Sequence, residues 1–484
     1  MSTNSNNDSS IQVGKKTFIT SVLILLALMT ISGILTKIVP AGMYSREVID
    51  GTVTIVPNSF TFIESSGLPI YKWYTAPIEV LFSSDSLMII TIILFILIIG
   101  ATFNILDKSD ILKYIMSSVA SKFSDRKYVL LTVMSFMFMI FGSTIGIFEE
   151  MVPLVPIIIA LSFSMGWDSL VGLGISVLSV GFGFASAIFN PFTLGVAQEI
   201  AGLSVFSGAI FRIFIFLVVY LLLLSFLIRY AKKIENNPKL SLVYEEDKAA
   251  KGNYSNFESI EYSEDVKKGA KIFSYSLVLI LLTIICTTFI DSLSSYSLPI
   301  VAILFLLSGI ISSLVSKISY KEIGVCFING AISIAPGILL ILLASSVKHI
   351  ISTGNIMDTI LYYISLFISK QSPFTTAILI YASVLILNFF IGSGSAKAFL
   401  VMPIISPLAD LVGVNRQIAV QAFCFGDGFS NMIYPTNAVL LLALGLSTVS
   451  YTKWFKWTIK LQGFMILLSI VFIWIALKIN YGTF

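Results

Sequence analysis

Charge is the scarcest property of this 484-residue chain. Asp, Glu, Lys and Arg together make 12% of it, against ~25% in an ordinary soluble domain. Hydrophobic residues make 57%, and mean hydropathy is +0.96. A soluble fold of this length could not cover so much apolar surface, which excludes a water-soluble enzyme, a disordered chain and a secreted scaffold. Histidine is nearly absent, and His349 alone cannot build a His-based metal site. The three cysteines, Cys286, Cys326 and Cys424, lie in apolar stretches and read as small buried hydrophobes. No Walker loop, nucleophile elbow or metal-ligand cluster occurs, so catalysis and ATP-driven pumping by this chain are not expected, nor is a bound cofactor. The 30 Lys and Arg nearly balance 26 Asp and Glu, without the basic face that a nucleic-acid partner would need. The partner that remains is the lipid bilayer, and the length allows roughly ten crossings of ~20 residues.

Apolar runs at about 17–39 and 87–106 read as plain spans, with Lys15 and Lys16 holding a tail, 1–16, inside. Segment 107–127 carries five Lys or Arg on an amphipathic helical pattern and is expected on the cytoplasmic surface. The first membrane half is 17–230. A charged linker, 231–269, follows, and the second half is 270–484. The stretch 231–270 holds seven Lys and eight acidic residues without apolar periodicity. Five tryptophans, Trp73, Trp167, Trp454, Trp457 and Trp474, fall mostly near span ends and read as interface anchors.

Four interruptions carry the functional signal. Run 128–166 is broken by GSTIGIFEEMVPLVP, Gly142 to Pro156, and run 374–412 by GSGSAKAFLVMP, Gly392 to Pro403. Each reads as a re-entrant hairpin, because a straight helix would set Glu149 and Glu150 against lipid at a cost of several kcal/mol. Two spans are broken by GFGFASAIFNP, Gly181 to Pro191, and GDGFSNMIYPTN, Gly426 to Asn437. Gly and Pro there stop the helix and free backbone groups for a ligand.

The halves repeat. Gly142 to Pro153 and Gly392 to Pro403 are both eleven positions; GFGF with a later Asn-Pro parallels GDGF with a later Tyr-Pro; Gly-Leu-Ser follows each break. Counting crossings puts the first hairpin's ends inside and the second's outside. The five Lys or Arg of 107–127 against two in 347–373, Lys348 and Lys370, agree with that inversion. The fold class is thus an all-α polytopic membrane protein of inverted repeats, with two re-entrant hairpins, two broken helices and about nine full spans. Paired interrupted segments in inverted halves point to the binding site of a secondary transporter.

Candidate ligands for substrate or ion follow from the interruptions. Glu149 and Glu150 are adjacent carboxylates; on a helix they diverge by ~100°, so one is expected toward the ligand and the other toward a partner such as Lys397. Asp427, between Gly426 and Gly428, reads as a Na⁺ or proton site or as a helix cap. Ser143, Thr144, Ser393 and Ser395 are hydroxyls at the tips, where helix N-termini favour a carboxylate or small residues pack tightly. Asn190, Asn431, Thr436 and Asn437 are neutral ligands beside the breaks, and Gly181, Gly183, Gly426 and Gly428 serve backbone geometry. Gln198 reads as a solvated mouth residue, Asp168 and Asp410 as caps, and His349 as interfacial. The substrate expected is a small charged organic molecule. Acids and Lys397 together suit an amino acid, and a C4-dicarboxylate remains open; a channel for small organic ions is the alternative class.

The hairpin and break motifs, with GVAQEIAGLSVFSG after the first break, IISPLADLVGVNRQ following GSGSAKAFLVMP, PAGMY at 40–44 and IVPNS at 55–59, resemble the YfcC-type carriers over about 17–478. That family is similar to the anaerobic C4-dicarboxylate carriers within the larger ion-transporter superfamily. The resemblance implies an electrochemically driven homodimeric carrier in the bacterial inner membrane, with a scaffold and a moving transport domain. It links the chain to C4-dicarboxylates and to arginine/ornithine exchange, driven by Na⁺ or H⁺ where coupled. Lys397 departs from the uncharged polar residue expected at its hairpin position.

Overall fold

The computed structural model describes residues 15–49, 52–56, 59–65, 67–84, 86–252, 262–289, 296–368 and 371–482. Tail residues 1–14, linker residues 253–261, Pro57 and Asn58 of IVPNS, and Lys370 lie outside them.

The first half contains α1 (Lys15–Ile38), α2 (Ile70–Glu79), α3 (Ser86–Lys108), α4 (Ile111–Phe123), α5 (Lys127–Ile140), α6 (Val155–Ser164), α7 (Ser169–Leu173), α8 (Ser179–Ser186), α9 (Val196–Ile200) and α10 (Ala209–Asn236). The linker forms α11 (Tyr244–Gly252). The second half contains α12 (Glu264–Phe289), α13 (Ser297–Val315), α14 (Tyr320–Thr353), α15 (Met357–Ile368), α16 (Pro373–Asn388), α17 (Gly394–Leu411), α18 (Arg416–Gly428), α19 (Ala438–Gly445) and α20 (Tyr451–Lys478). Among the described residues eight helical runs are long and apolar enough to cross a membrane; two of them, Lys127–Ile145 and Gly394–Leu411, are hairpin arms. Outside the hairpins these runs are α3, α7–α9, α10, α13, α14 and α20, and Val22–Ile38 within α1 is a shorter apolar helix. Outward rows such as Leu217 and Leu221, Leu279 and Leu282, or Ile328 and Ile332 are exposed and suit lipid.

The chain is not wholly α. Strand β1 (Gly42–Met43) pairs antiparallel with β4 (Thr61–Phe62), and β2 (Arg46–Ile49) with β3 (Thr52–Ile55). These short ribbons are held to α15 by the Arg46 guanidinium, 2.8 Å from Asp358 Oδ2, and by the Tyr44 N–H donating to the same oxygen at 2.9 Å.

Each interruption has a local cause. Helix α5 runs through a π turn, Phe141–Ile145, and reverses at Gly146, whose φ of +73° a side chain would strain. A Cβ there would also lie 2.6 Å from Asn190 Oδ1. Helices α7 and α8, joined by a π turn, stop at Ala187 with φ +41°. The Asn190 carboxamide oxygen then caps the next turn, accepting from Phe192 N–H at 2.9 Å and Thr193 N–H at 3.3 Å. In the second half, Ser393 caps α17 and Asn437 caps α19, accepting from Ala396 and Leu440 N–H groups.

The broken helices run in opposite senses. Ser169, the first residue of α7, is bonded to Asp247 of the linker helix. At the start of α18, Arg416 donates to Ala201 O at 2.7 Å, and Gln417 reaches Gln198 and Tyr481, near the chain's end. One break is thus entered from the linker end of the fold and the other from the far end, as inverted repeats require.

Several expectations are corrected here. Trp454, Trp167, Trp457 and Trp73 are buried and pack the interior, with Trp454 Nε1 donating to Met432 O at 2.7 Å; Trp474 is the exposed one. Gln198 is fully buried, not a mouth residue, because its amide joins the loop after α9 to α18. Cys286 is exposed on α12, while Cys326 and Cys424 are buried. Asp168 does cap α7, accepting from Val171 N–H at 2.9 Å.

Candidate functional site

Hairpin tips and helix breaks meet around one cavity of about 300 Å³. The hairpins supply Gly146, Glu149, Glu150, Gly392, Ser393 and Ser395, and the second break supplies Asn431, Thr436 and Asn437. The opposite wall comes from α3, α12, α13 and α14, and includes Ile92, Thr287, Ser297, Lys348 and His349. The cavity therefore lies between the interrupted elements and a wall of continuous helices.

Glycines let the interrupted elements pack this closely. A Cβ at Gly142 or Gly183 would press the α5–α8 contact to 3 Å or less, one at Gly181 would meet Met432, one at Gly428 would meet Ala185, and one at Gly426 would sit 2.7 Å from Val384 Cβ. The last three seams join the two halves or the second hairpin to its break. These glycines serve backbone approach, and Gly181, Gly183, Gly426 and Gly428 do not appear among the cavity-lining residues.

The hydroxyls divide. Ser395 donates to Phe192 O at 2.7 Å and ties the second tip to the first break. Ser143 Oγ accepts from Ile188 N–H at 3.0 Å, tying the first tip to the same break, and is fully buried. Thr144 turns back onto Ile140 O at 2.8 Å, so it is not brought into the lining. Thr436 donates to Phe389 O at 2.7 Å and closes the second break against the second hairpin.

The charges are arranged differently from the pairing the sequence suggests. Lys397 is fully buried and donates to Asp427 Oδ1 and Asn388 Oδ1; it does not touch Glu149 or Glu150. The physical reason lies in the hairpin: α17 starts at Gly394, so position 397 sits one turn in and points at α18, away from the cavity. Asn388 Nδ2 contacts Asp427 O at 2.9 Å, Ser430 Oγ at 2.7 Å and Asn431 Oδ1 at 2.8 Å. Asn437 Nδ2 donates to the same Asn431 oxygen at 3.0 Å. Asn431 and Asn437 thus brace the network and border the cavity together.

Glu149 and Glu150 both line the cavity, where one was expected to turn away. They open a 3₁₀ turn, Glu149–Leu154, at the rim of the reversal, so neither is carried to the back of an established helix. Glu150 Oε1 accepts from Ser297 Oγ at 2.8 Å, and its Oε2 from Phe148 N–H at 3.3 Å.

Sequence reasoning missed Asn388, Thr193 and Arg212, and read His349 as interfacial when it lines the cavity and faces Glu79 at 3.4 Å. A lone Asn at the end of the apolar α16 arm was the available signal for Asn388. Arg212 is fully buried behind the first break and donates to Ile188 O, Phe206 O and Tyr481 OH. Among the described residues no group of three or more His, Cys, Asp or Glu could hold a metal.

This layout of paired hairpins and breaks around a shared cavity accords with the family comparison. The family described as the C4-dicarboxylate anaerobic carrier, DcuC, matches residues 18–478. The chain belongs to that family. It is a multi-pass membrane protein of a transporter family. It is 31% identical over 478 residues to YfcC of Escherichia coli (strain K12), whose name assigns it provisionally as a basic amino acid antiporter; the match covers 91% of this chain and 92% of that one. An uncharacterized protein of Haemophilus influenzae is 28% identical over 385 residues, covering 78% and 74%. Among solved structures, the Alcanivorax borkumensis YdaH transporter is 16% identical at TM-score 0.40, covering 97% and 99%. Neisseria gonorrhoeae MtrF, described as one of a class of antimetabolite efflux pumps, is 16% identical at TM-score 0.42, covering 94% of each chain.

Proposed function

We propose that this carrier is a secondary exchanger of small cationic amino acids, acting as a homodimer in the bacterial cytoplasmic membrane. One observation carries the reading: Glu149 and Glu150 face the cavity while Lys397, the cation nearest in sequence logic, is committed to Asp427. A substrate ammonium or guanidinium would pair with these two half-buried carboxylates by charge-assisted hydrogen bonds. Its carboxylate suits the N-terminus of α17, where Ser393 and Ser395 stand at the positive end of an 18-residue helix. The basic amino acid antiporter role in the name of the Escherichia coli relative supports the same substrate class.

A C4-dicarboxylate is the second reading, favoured by Lys348 and His349 on the opposite wall and by the family's description. A channel is less well supported, because both hairpins end within the fold and converge on one cavity. The deciding experiment is counterflow in liposomes with labelled arginine, ornithine, succinate and aspartate, with and without a Na⁺ or pH gradient. Saturable arginine or ornithine counterflow is expected. Counterflow of succinate alone would replace this reading with the dicarboxylate one, and unsaturable flux without counterflow would make the protein a channel.

A further inference from the structure

Asp427 and Asn388 form a seat for a positive charge. The two Oδ1 atoms converge on one point, and Asp427 Oδ2 is buried beside them without a partner. The orientation of Asn388 follows from its surroundings. Its other end contacts the Asp427 backbone carbonyl, which only accepts, so the amine lies there and the oxygen must face the seat. Thr193, whose Oγ1 is also buried without a partner, approaches from the first break: a Cβ on Gly394 would touch its Cγ2 methyl and lie 3.0 Å from Asp427 Oδ2. A buried, oxygen-lined seat of this kind is what a small monovalent cation selects, and here the Lys397 ammonium fills it.

The repeat shows that the seat has no twin. Gly142 and Gly392 differ by 250 positions, so Asn388 and Lys397 correspond to Phe138 and Ile147. Gly181 and Gly426 differ by 245, so Asp427 corresponds to Phe182. Phe138, Ile147 and Phe182 are all buried. An ion placed among them would lose its hydration with no oxygen in exchange, at a cost of several kcal/mol. At the matching positions the first half offers an ion no side-chain oxygen, and in the second the seat is occupied by a cation fixed to the chain.

We infer that Lys397 is a tethered cation standing where a mobile coupling ion would sit on Asp427, so that this carrier binds and works without Na⁺. The ammonium neutralises Asp427 permanently, and the neutral network can cross the membrane's interior with the hairpin without waiting for an ion. The unpartnered Asp427 Oδ2 is the coordination that the single ammonium leaves unused.

The direct test needs no substrate and so is independent of the proposed function. The purified protein is melted in NaCl and in choline chloride at equal ionic strength. The wild type is expected to melt at one midpoint in both. Lys397→Ala empties the seat and is expected to gain a Na⁺-specific rise in midpoint, which Lys397→Ala with Asp427→Asn loses. A Na⁺-specific rise in the wild type, or a folded Lys397→Ala protein indifferent to Na⁺, overturns the inference. Should Lys397→Ala fail to fold, wild-type flux decides: equal counterflow in Na⁺ and choline supports the inference, and a tenfold loss in choline overturns it. Absence of counterflow for all four labelled substrates, with the melting pattern intact, would sink the exchanger reading and leave the tethered cation standing.

Discussion

Asp427 gives one carboxylate oxygen to the Lys397 ammonium and keeps the other buried and unpartnered, with Asn388 completing the clasp from the facing arm of the hairpin. The pair joins α17 to α18, so the second hairpin and the second break are held as one ion-paired unit inside an apolar body.

Breaking this pair from one side should destabilise more than removing it whole. Lys397→Gln and Asp427→Asn each strand a buried charge, at a cost of about 3–5 kcal/mol. The double variant removes both and should recover most of that loss. Thermal denaturation of the purified single and double variants checks this; additive losses would show that the two residues act separately.

Glu149→Gln should weaken substrate binding about 10–100-fold without lowering expression, since a charge-assisted bond is worth about 1.5–3 kcal/mol. Half-saturation in counterflow is the readout. Unchanged affinity would remove Glu149 from the site.

Gly146→Ala should cost about 1–3 kcal/mol, because φ is +73° there and the new Cβ would press on Asn190 Oδ1. Gly413→Ala shares the strain, with φ +73°, but has open space around it. Melting of both variants separates the terms: Gly146→Ala should lose more, and equal losses would mean that the tip contact contributes nothing.

The linker helix α11 should dock in a pH-dependent way. Asp247 is buried against α7 and the segment before α20, bonded to Ser169 N–H at 2.8 Å, Ser169 Oγ and Thr448 Oγ1. Burial pushes its carboxyl up to about 6, opposed by those hydrogen bonds and reinforced by the nearby Asp168. Glu246 and Lys453 pair alongside it. Undocked, the carboxyl would titrate near ~3.9. The docked value is the higher one, so docking takes up a proton; its contribution is complete below about pH 4 and is lost as pH rises through about 6. Hydrogen exchange in the first turn of α7, corrected for its intrinsic rate, should be better protected at pH 5 than at pH 7.5. Asp247→Asn should flatten that difference, and a flat wild-type profile would contradict it.

Much of the architecture was readable because Gly, Pro and carboxylates are expensive inside an apolar run and so mark where a membrane helix stops. The hairpins, the breaks and their antiparallel arrangement follow from those positions alone. Pairing was not readable. Lys397 lies four residues beyond Ser393, and only the start of α17 at Gly394 decides that its side chain turns to Asp427 and not to Glu149. The tryptophans misled for a related reason: a bulky ring near a span end packs inward when a broken helix leaves space there, as Trp454 does against Met432. The strands of the 42–62 loop carried no strong alternation, and their placement depends on the distant Asp358.

The hydrogen bond between Glu150 and Ser297 crosses from the interrupted body to the wall of continuous helices. The same carboxylate that would receive a cationic substrate is thus a fastener between two parts of the carrier. A cation drawn to Glu150 would compete with Ser297 for that carboxylate and so act on the contact between the two parts.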